Sequence, residues 1–340
     1  MHNGKSVEMQ SYYCQGEVGK VIFAGAPELP GVSMMDKMRH INEVDDSFRR
    51  FVTHEPRAHA AMSVNLLLPP CRPDADAGFI VMLADRAHPM SGSNCICVVT
   101  FLIESGRVAI TEPETIVRLD TPAGLVTARA YCVDGRCVSV SIENVPCFTY
   151  GLDIKIDTPK WGAINADIAF GGVFYGIVDV DQIGLAITPQ NARDLAAAGI
   201  EIRELMEKQT KVQHPTQPDF RGITNVMFRS LDSDGATRTC TTLRPGRIDR
   251  TPCGTGSSAN LAALFSRGDA KIGDKRLSRS IVGGEFILEV AGETMVGDEY
   301  AIVPRITGSA WCLGTESLIV RPEYPSTASF MMSDTWGLEI

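Results

Sequence analysis

The sequence predicts an α+β fold: two pseudo-symmetric domains, each a mixed or antiparallel sheet wrapped around one central apolar helix. Three observations carry this. Strand-like segments outnumber helical ones and short turns join many of them, unlike a doubly wound parallel sheet. The order of elements in the first half recurs in the second. In each half a glycine-bearing turn runs into an apolar stretch: Ser91-Gly92-Ser93-Asn94 into residues 95–103, and Cys253-Gly254-Thr255-Gly256 toward residues 260–265. A chain of 340 residues exceeds one ordinary core. Two domains are therefore expected, 1–160 and 161–340.

Alternation marks strands near 7–13 and 20–24. A helical stretch covers 34–52, with charged residues on one face. Strand candidates occupy 61–68 and 78–84, followed by the Ser91 turn and its helix. Strands then fall near 115–119, 124–133 and 137–145, with Asp134-Gly135 as a hairpin signal. The second half opens with a strand pair over 167–178 that resembles the run from Ser11 into Phe23. A helix spans 189–212 and is firmest over 191–207. Strands near 224–229 and 236–243 lead to the Cys253 turn, and 279–290 and 300–307 follow its helix as strands. Ser91 and Cys253 each stand 15 residues before a glycine, Gly106 and Gly268. About 80 residues separate Ser11 from Ser91 and about 86 separate Asp167 from Cys253, so the halves match in spacing too. The junction, Asp157-Thr158-Pro159-Lys160-Trp161-Gly162, has turn chemistry. The tail after Pro322 is irregular, and packing back onto the first domain is open to it.

Composition excludes several classes. Charged residues make up 21% and hydrophobic ones 44%, as in ordinary soluble proteins. A net charge of −9 without a basic helix face argues against nucleic acid as a partner. No run reaches the length needed to span a bilayer and the N-terminus lacks a signal-peptide core, so no membrane partner and a cytoplasmic location are expected. Ten cysteines include no C-x-x-C; Cys95, Cys97, Cys132, Cys137 and Cys147 read as small buried hydrophobes. The histidines form no i, i+4 pair, and no metal is expected.

The two turns carry the chemistry. A cysteine at a helix N-terminus is expected to have a lowered pKa, and the free N–H groups there bind anions. Two such ends aimed together suit one carboxylate, with Gly92, Gly254 and Gly256 allowing close approach. Ser91 and Cys253 would then flank the ligand. Proton removal alpha to a carboxylate needs this layout, with preorganised donors and a nearby base. No lysine stands in a pyridoxal-phosphate context, so cofactor-free chemistry is expected. Gly254-x-Gly256-x-x-Ala259 fits a dinucleotide fingerprint, but no apolar strand directly precedes it. Taken alone, Ser91 also reads as a helix cap and Asp249 as a brace of the turn.

The run Asp249-Arg250-Thr251-Pro252-Cys253-Gly254-Thr255-Gly256 resembles the second-half signature of the proline racemase superfamily. Pro27-Glu28-Leu29-Pro30-Gly31, Glu55-Pro56-Arg57-Ala58-His59, Pro73-Asp74-Ala75-Asp76-Ala77-Gly78 and Val303-Pro304-Arg305-Ile306-Thr307-Gly308 extend the likeness along nearly the whole chain. The resemblance implies the fold shared with diaminopimelate epimerase and a cofactor-free site in an interdomain cleft. It implies that Gly92-Ser93 and Gly254-Thr255 bind the substrate carboxylate, that Asp249 contacts a ring nitrogen, and that Ser91 and Cys253 are catalytic. Racemases and many epimerases of this family carry Cys-Gly-His where this chain has Ser91-Gly92-Ser93. Members with a Ser/Cys pair are associated with dehydration of trans-3-hydroxy-L-proline, often beside 4-hydroxyproline epimerisation. Other dehydratases keep the first cysteine and replace the second with threonine.

Stereochemistry supports the link to dehydration. In trans-3-hydroxy-L-proline the alpha proton and the hydroxyl share a ring face, so one residue is able to remove the first and protonate the second. The leading expectation is therefore dehydration to pyrroline-2-carboxylate and water, with 4-hydroxyproline 2-epimerase as a side activity. A dedicated epimerase is the alternative, and a non-catalytic imino-acid-binding protein the second alternative. The partner is a small molecule, hydroxyproline; a homodimer is compatible with the sequence.

Overall fold

The computed structural model describes residues 6–59, 61–218, 220–244, 246–319 and 329–332. They divide into two compact units, one running to Ile142 and resuming at Gly308, the other Glu143–Thr307.

In the first unit, β1 (Ser6–Cys14) and β2 (Glu17–Ala24) form an antiparallel hairpin. Helices α1 (Met34–Glu43) and α2 (Ser47–Thr53) lead to β3 (Ser63–Leu68), which lies parallel to β2. Next, β4 (Ala77–Met82) pairs antiparallel with β3, and the short β5 (Ala87–His88) with β4. After α3 (Gly92–Glu104), β6 (Glu114–Thr121) runs parallel to β4 and continues into an antiparallel meander with β7 (Gly124–Val133) and β8 (Arg136–Glu143). The strand Ala310–Ile319 pairs with β1. Helix α3 packs against β1, β2, β3, β7 and that last strand, and it is buried from Asn94 to Ile103. An all-apolar helix needs this sleeve of sheet.

The expected helix over 34–52 is two helices. Ser33 caps α1 through a reciprocal box with Asp36 (3.1 and 3.2 Å). The chain breaks after Val44, where Asp45 Oδ1 accepts from the Ser47 N–H at 2.9 Å and starts α2. Short polar side chains compete with the helical ladder in this way.

In the second unit, β9 (Cys147–Thr158) and β10 (Gly162–Phe170) form a hairpin. β11 (Phe174–Asp179) pairs antiparallel with β10; after α4 (Ala192–Gln209), β12 (Asn225–Leu231) lies parallel to β11. β13 (Thr237–Leu243) and β14 (Arg247–Ile248) precede α5 (Gly254–Arg267). β15 (Lys275–Ser280) runs parallel to β13, and β16 (Glu285–Val296) and β17 (Glu299–Gly308) complete the meander. β17 returns to β9 through Ala301 opposite Phe148 and Ile302 opposite Cys147, which closes a strand barrel. α5 packs against β9, β10, β11 and β16. An aromatic group anchors the core, with Phe148 stacked on Phe170 at 5.3 Å and edge-on to Phe174 at 6.0 Å. Each such side chain contributes about 1.5–3 kcal/mol on burial.

The repeat is exact in topology. Strands β1, β2, β3, β4, β6, β7 and β8 correspond to β10, β11, β12, β13, β15, β16 and β17, with the same parallel and antiparallel pairings. α3 and α5 occupy the same step. The expected boundary at 160/161 differs from the observed division. It falls in the turn of the β9–β10 hairpin, where Thr158 pairs with Gly162 inside the second unit. Strand β9 is the physical reason: it serves β10 as the strand Ala310–Ile319 serves β1. Most of the tail beyond Pro322 lies outside the described residues; Phe330 pairs there with Glu55 of the first unit.

Candidate active site

Each unit places one of the two expected turns at the N-terminus of its sleeved helix. In the first, Ser91 is the N-cap of α3, with extended backbone (φ −153°). The Cys95 N–H closes the first helical bond to Ser91 O at 2.9 Å, so the N–H groups of Gly92, Ser93 and Asn94 precede the ladder. The Ser91 hydroxyl caps nothing itself. It accepts a hydrogen bond from Asn94 Nδ2 at 2.9 Å, and Ser93 Oγ lies 3.4 Å away. Asn94 is buried, and its Oδ1 accepts from Ser63 Oγ and Asn65 Nδ2, both at 2.8 Å.

In the second unit, Cys253 is the N-cap of α5, and its backbone is left-handed (φ 61°). For a residue with a Cβ this costs roughly 1–3 kcal/mol unless the surroundings enforce it. A relay enforces it here. Asp249 Oδ1 accepts from the N–H and the hydroxyl of Thr251, both at 2.8 Å, and Thr251 Oγ1 accepts from the Cys253 N–H at 3.0 Å. Asp249 therefore braces the turn through one carboxylate oxygen. Ser257 N and Oγ bind Cys253 O (2.7 Å) and Pro252 O (2.6 Å), fixing the entry to α5. The rest of the helix is held to β10 and β12: Arg229 reaches Asp167 (3.0 Å) and Asn260 (2.9 Å), and Arg267 also reaches Asp167 (2.6 Å).

Tyr175 joins this turn. Its hydroxyl lies 2.7 Å from Thr255 Oγ1 and 3.6 Å from Cys253 Sγ. In sequence Tyr175 reads only as a strand residue; the contact spans 78 residues of chain, and no local pattern signals it. In sequence the Gly171-Gly172 turn likewise reads only as part of a strand pair. Gly171 lies against the first turn of α5, at Thr255 O and the Ala259 N–H. Ser63 and Asn65 carried a weak signal, polar residues in an otherwise apolar strand.

The expected low thiol pKa is not what this environment produces. The Cys253 thiol is pushed up to about 12, first by burial and then by the negative charge of Asp249. The Tyr175 hydroxyl and the Gly256 N–H act in the opposite direction without overcoming them. A helix end lowers a pKa when the thiolate is also hydrated; here desolvation dominates. Each of the seven expected site residues stands in the first turn or approach of its own helix. Ser91, Gly92 and Ser93 come together in one unit, and Asp249, Cys253, Gly254 and Thr255 in the other.

The family model described as proline racemase matches residues 10–331. Over 335 residues the chain is 48% identical to 4-hydroxyproline 2-epimerase 1 of Rhizobium rhizogenes, covering 98% of this chain and 97% of that protein. It is 46% identical to the 4-hydroxyproline 2-epimerase of Agrobacterium fabrum, with 98% of each covered. A solved hydroxyproline epimerase from Agrobacterium vitis, with bound trans-4-hydroxy-L-proline, superposes with a TM-score of 0.90 at 46% identity, covering 98% of this chain and 97% of that one. A Bacillus anthracis protein of the PhzF family shares the fold at 10% identity, with a TM-score of 0.59.

Proposed function

The chain belongs to the proline racemase family, and on that premise we propose that it is a 4-hydroxyproline 2-epimerase, interconverting trans-4-hydroxy-L-proline and cis-4-hydroxy-D-proline. The observation that carries this is identity of 46–48% along almost the whole length of relatives bearing that name. It reverses the order expected from Ser91 alone, which placed dehydration first.

Inversion at C2 requires a proton removed from one face and returned to the other. Cys253 and Ser91 are the two acid/base groups. The N–H groups of Gly92-Ser93 and Gly254-Thr255 hold the carboxylate, where enolate charge develops. Asp249 takes the ring ammonium. This last contact does more than orient the substrate. The Asp249 charge helps keep the thiol protonated. A bound ammonium neutralises that charge, so the substrate itself eases ionisation of Cys253. The thiolate then takes the C2 proton in one direction and the thiol returns it in the other, and Ser91 serves the other face.

The test is incubation with trans-4-hydroxy-L-proline in D2O. The expected product is cis-4-hydroxy-D-proline carrying deuterium at C2; absence of both deuterium and epimer overturns the proposal. A second reading, dehydration of trans-3-hydroxy-L-proline, draws on Ser91, since elimination needs no proton returned at C2. Its own test is pyrroline-2-carboxylate from the 3-hydroxy substrate. Tight binding without deuterium entry would instead favour an imino-acid-binding protein.

A further inference from the structure

We propose that Asn94 is a positioning residue for the reaction, holding Ser91 as a competent proton donor and stabilising the alkoxide it leaves. This rests on the reading above, in which Ser91 exchanges a proton with C2. A serine hydroxyl is a far weaker acid than a thiol, so the alkoxide it leaves needs a donor already in place. Asn94 is built to give it. Its Oδ1 is engaged by two donors, Ser63 Oγ and Asn65 Nδ2, each at 2.8 Å. That fixes the amide so that Nδ2 points at Ser91 Oγ, 2.9 Å away. With a lone pair of Oγ occupied by this donor, the hydroxyl proton is directed elsewhere. As the O–H bond breaks and C2–H forms, the electron pair stays on Oγ, where the Asn94 N–H stabilises it. The arrangement has a cost: Asn65 Oδ1 is buried without a hydrogen bond among the described residues. Stability alone does not account for a half-satisfied polar network in the core.

The repeat supplies independent support. Asn94 and Gly256 each stand three residues after the reactive residue of their half. By strand register, Gly19 opposite Ser63 corresponds to Tyr175 opposite Asn225. The two halves therefore exchange the same pair of roles. In the first, the helix supplies the polar partner and the strand supplies glycine; a Cβ on Gly19 would lie 3.0 Å from Asn94 Oδ1. In the second, the strand supplies Tyr175 and the helix supplies glycine; a Cβ on Gly256 would lie 3.0 Å from Tyr175 Cε1 and from Cys253 Sγ. Each reactive group thus meets a buried polar side chain delivered from reciprocal positions.

The experiment compares wild type, Asn94→Ala, Ser91→Cys and the double variant, reading inversion and solvent deuterium exchange with retention from both epimers. One epimer exchanges through Cys253 alone. Asn94→Ala is expected to slow inversion roughly 10- to 100-fold, the effect of losing one hydrogen bond to a developing anion, while that exchange changes less than threefold. With Cys at position 91, whose own acidity suffices, removing Asn94 should cost less than about threefold. Equal losses in both backgrounds, or a parallel fall in exchange and inversion, would overturn the proposal and leave Asn94 structural. Should Asn94→Ala not fold, Asn94→Asp keeps the acceptor for Ser63 and Asn65, removes the donor, and should reproduce the loss. A wild type that neither exchanges nor inverts would sink the epimerase reading instead.

Discussion

Gly171 is the most economical place to move the Cys253 half-site without touching it. Its Cα lies against the backbone of the first turn of α5. A Cβ there would lie well inside contact with Thr255 O, 2.9 Å from Ala259 N and 3.1 Å from Ala259 Cβ. None of the first two is the end of a flexible side chain, so the backbone must yield. Relieving the overlap needs relative movement of roughly 1 Å, judged against ordinary contact distances. Such overpacking costs about 1–3 kcal/mol in stability. The functional loss should be larger in proportion, since a displacement of that size near reacting groups costs about 100-fold in rate. Gly172→Ala is the control. Gly172 has φ 118°, and its Cβ would meet only Thr255 Cγ2 at 3.5 Å and Val145 Cγ2 at 3.8 Å. That variant carries backbone strain of about 1–2 kcal/mol without a push on α5. Epimerisation followed by polarimetry, with urea midpoints for both variants, separates the effects. Gly171→Ala should lose about two orders of magnitude in kcat/KM and Gly172→Ala much less. A Gly171→Ala enzyme within threefold of wild type would refute the idea that this contact sets the thiol's position.

Three further outcomes can be checked. Asp249→Asn removes a charge that pushes the thiol up, so Cys253 should alkylate faster near pH 8, by peptide mass spectrometry, while KM rises; unchanged alkylation would count against the charge coupling. Asp167 is buried between Arg229 and Arg267, which also hold the exposed Asp179 and Asp153, so Asp167→Ala removes the buried half of their pairing and should cost about 1.5–3 kcal/mol in urea unfolding; a loss under about 0.5 kcal/mol would show the buried carboxylate to be dispensable. Cys253 and Cys137 are each pushed up to about 12 from an ordinary value of 9.0. The unfolded chain then binds fewer protons than the folded one between those values, so stability is intact below pH 9 and falls as pH rises toward 12. A urea midpoint that is flat from about pH 8.5 to 10.5 would contradict this.

Much of this fold was legible because its signals are local. Asp134-Gly135 reads as a hairpin turn, and both residues have positive φ, 50° and 73°. Gly106 and Gly268, spaced alike from Ser91 and Cys253, end their helical segments at φ 71° and 83°. Other elements left no readable trace. The strand Ala310–Ile319 is exposed along most of its length, so nothing alternates for period-two reading to find. The stretch 279–290 reads as one strand but is two, split at Gly283, where φ is 87°. Ionisation of Cys253 was illegible for a different reason. The helix end is visible in sequence, but the burial that outweighs it is a property of the assembled barrel.

The inequality of Ser91 and Cys253 extends into the backbone and the neighbours. Cys253 sits in a left-handed conformation enforced by the Asp249–Thr251 relay, whereas Ser91 lies in relaxed, extended backbone. The thiol meets a phenol that shares its hydrogen bonding with Thr255, and the hydroxyl meets an amide locked by two donors. These pairings match the acids they serve. A thiol stores negative charge on a large, polarizable atom and needs its neighbours chiefly to hold it in place. An alkoxide concentrates charge on oxygen and needs a donor already aimed at it before the proton leaves. A chain that had merely lost one cysteine would have no reason to bury Asn94, Ser63 and Asn65 around the replacement, nor to leave Asn65 Oδ1 without a hydrogen bond among the described residues. The serine side therefore has what the proposed epimerase reaction asks of it, its weaker acid supported by its own polar network.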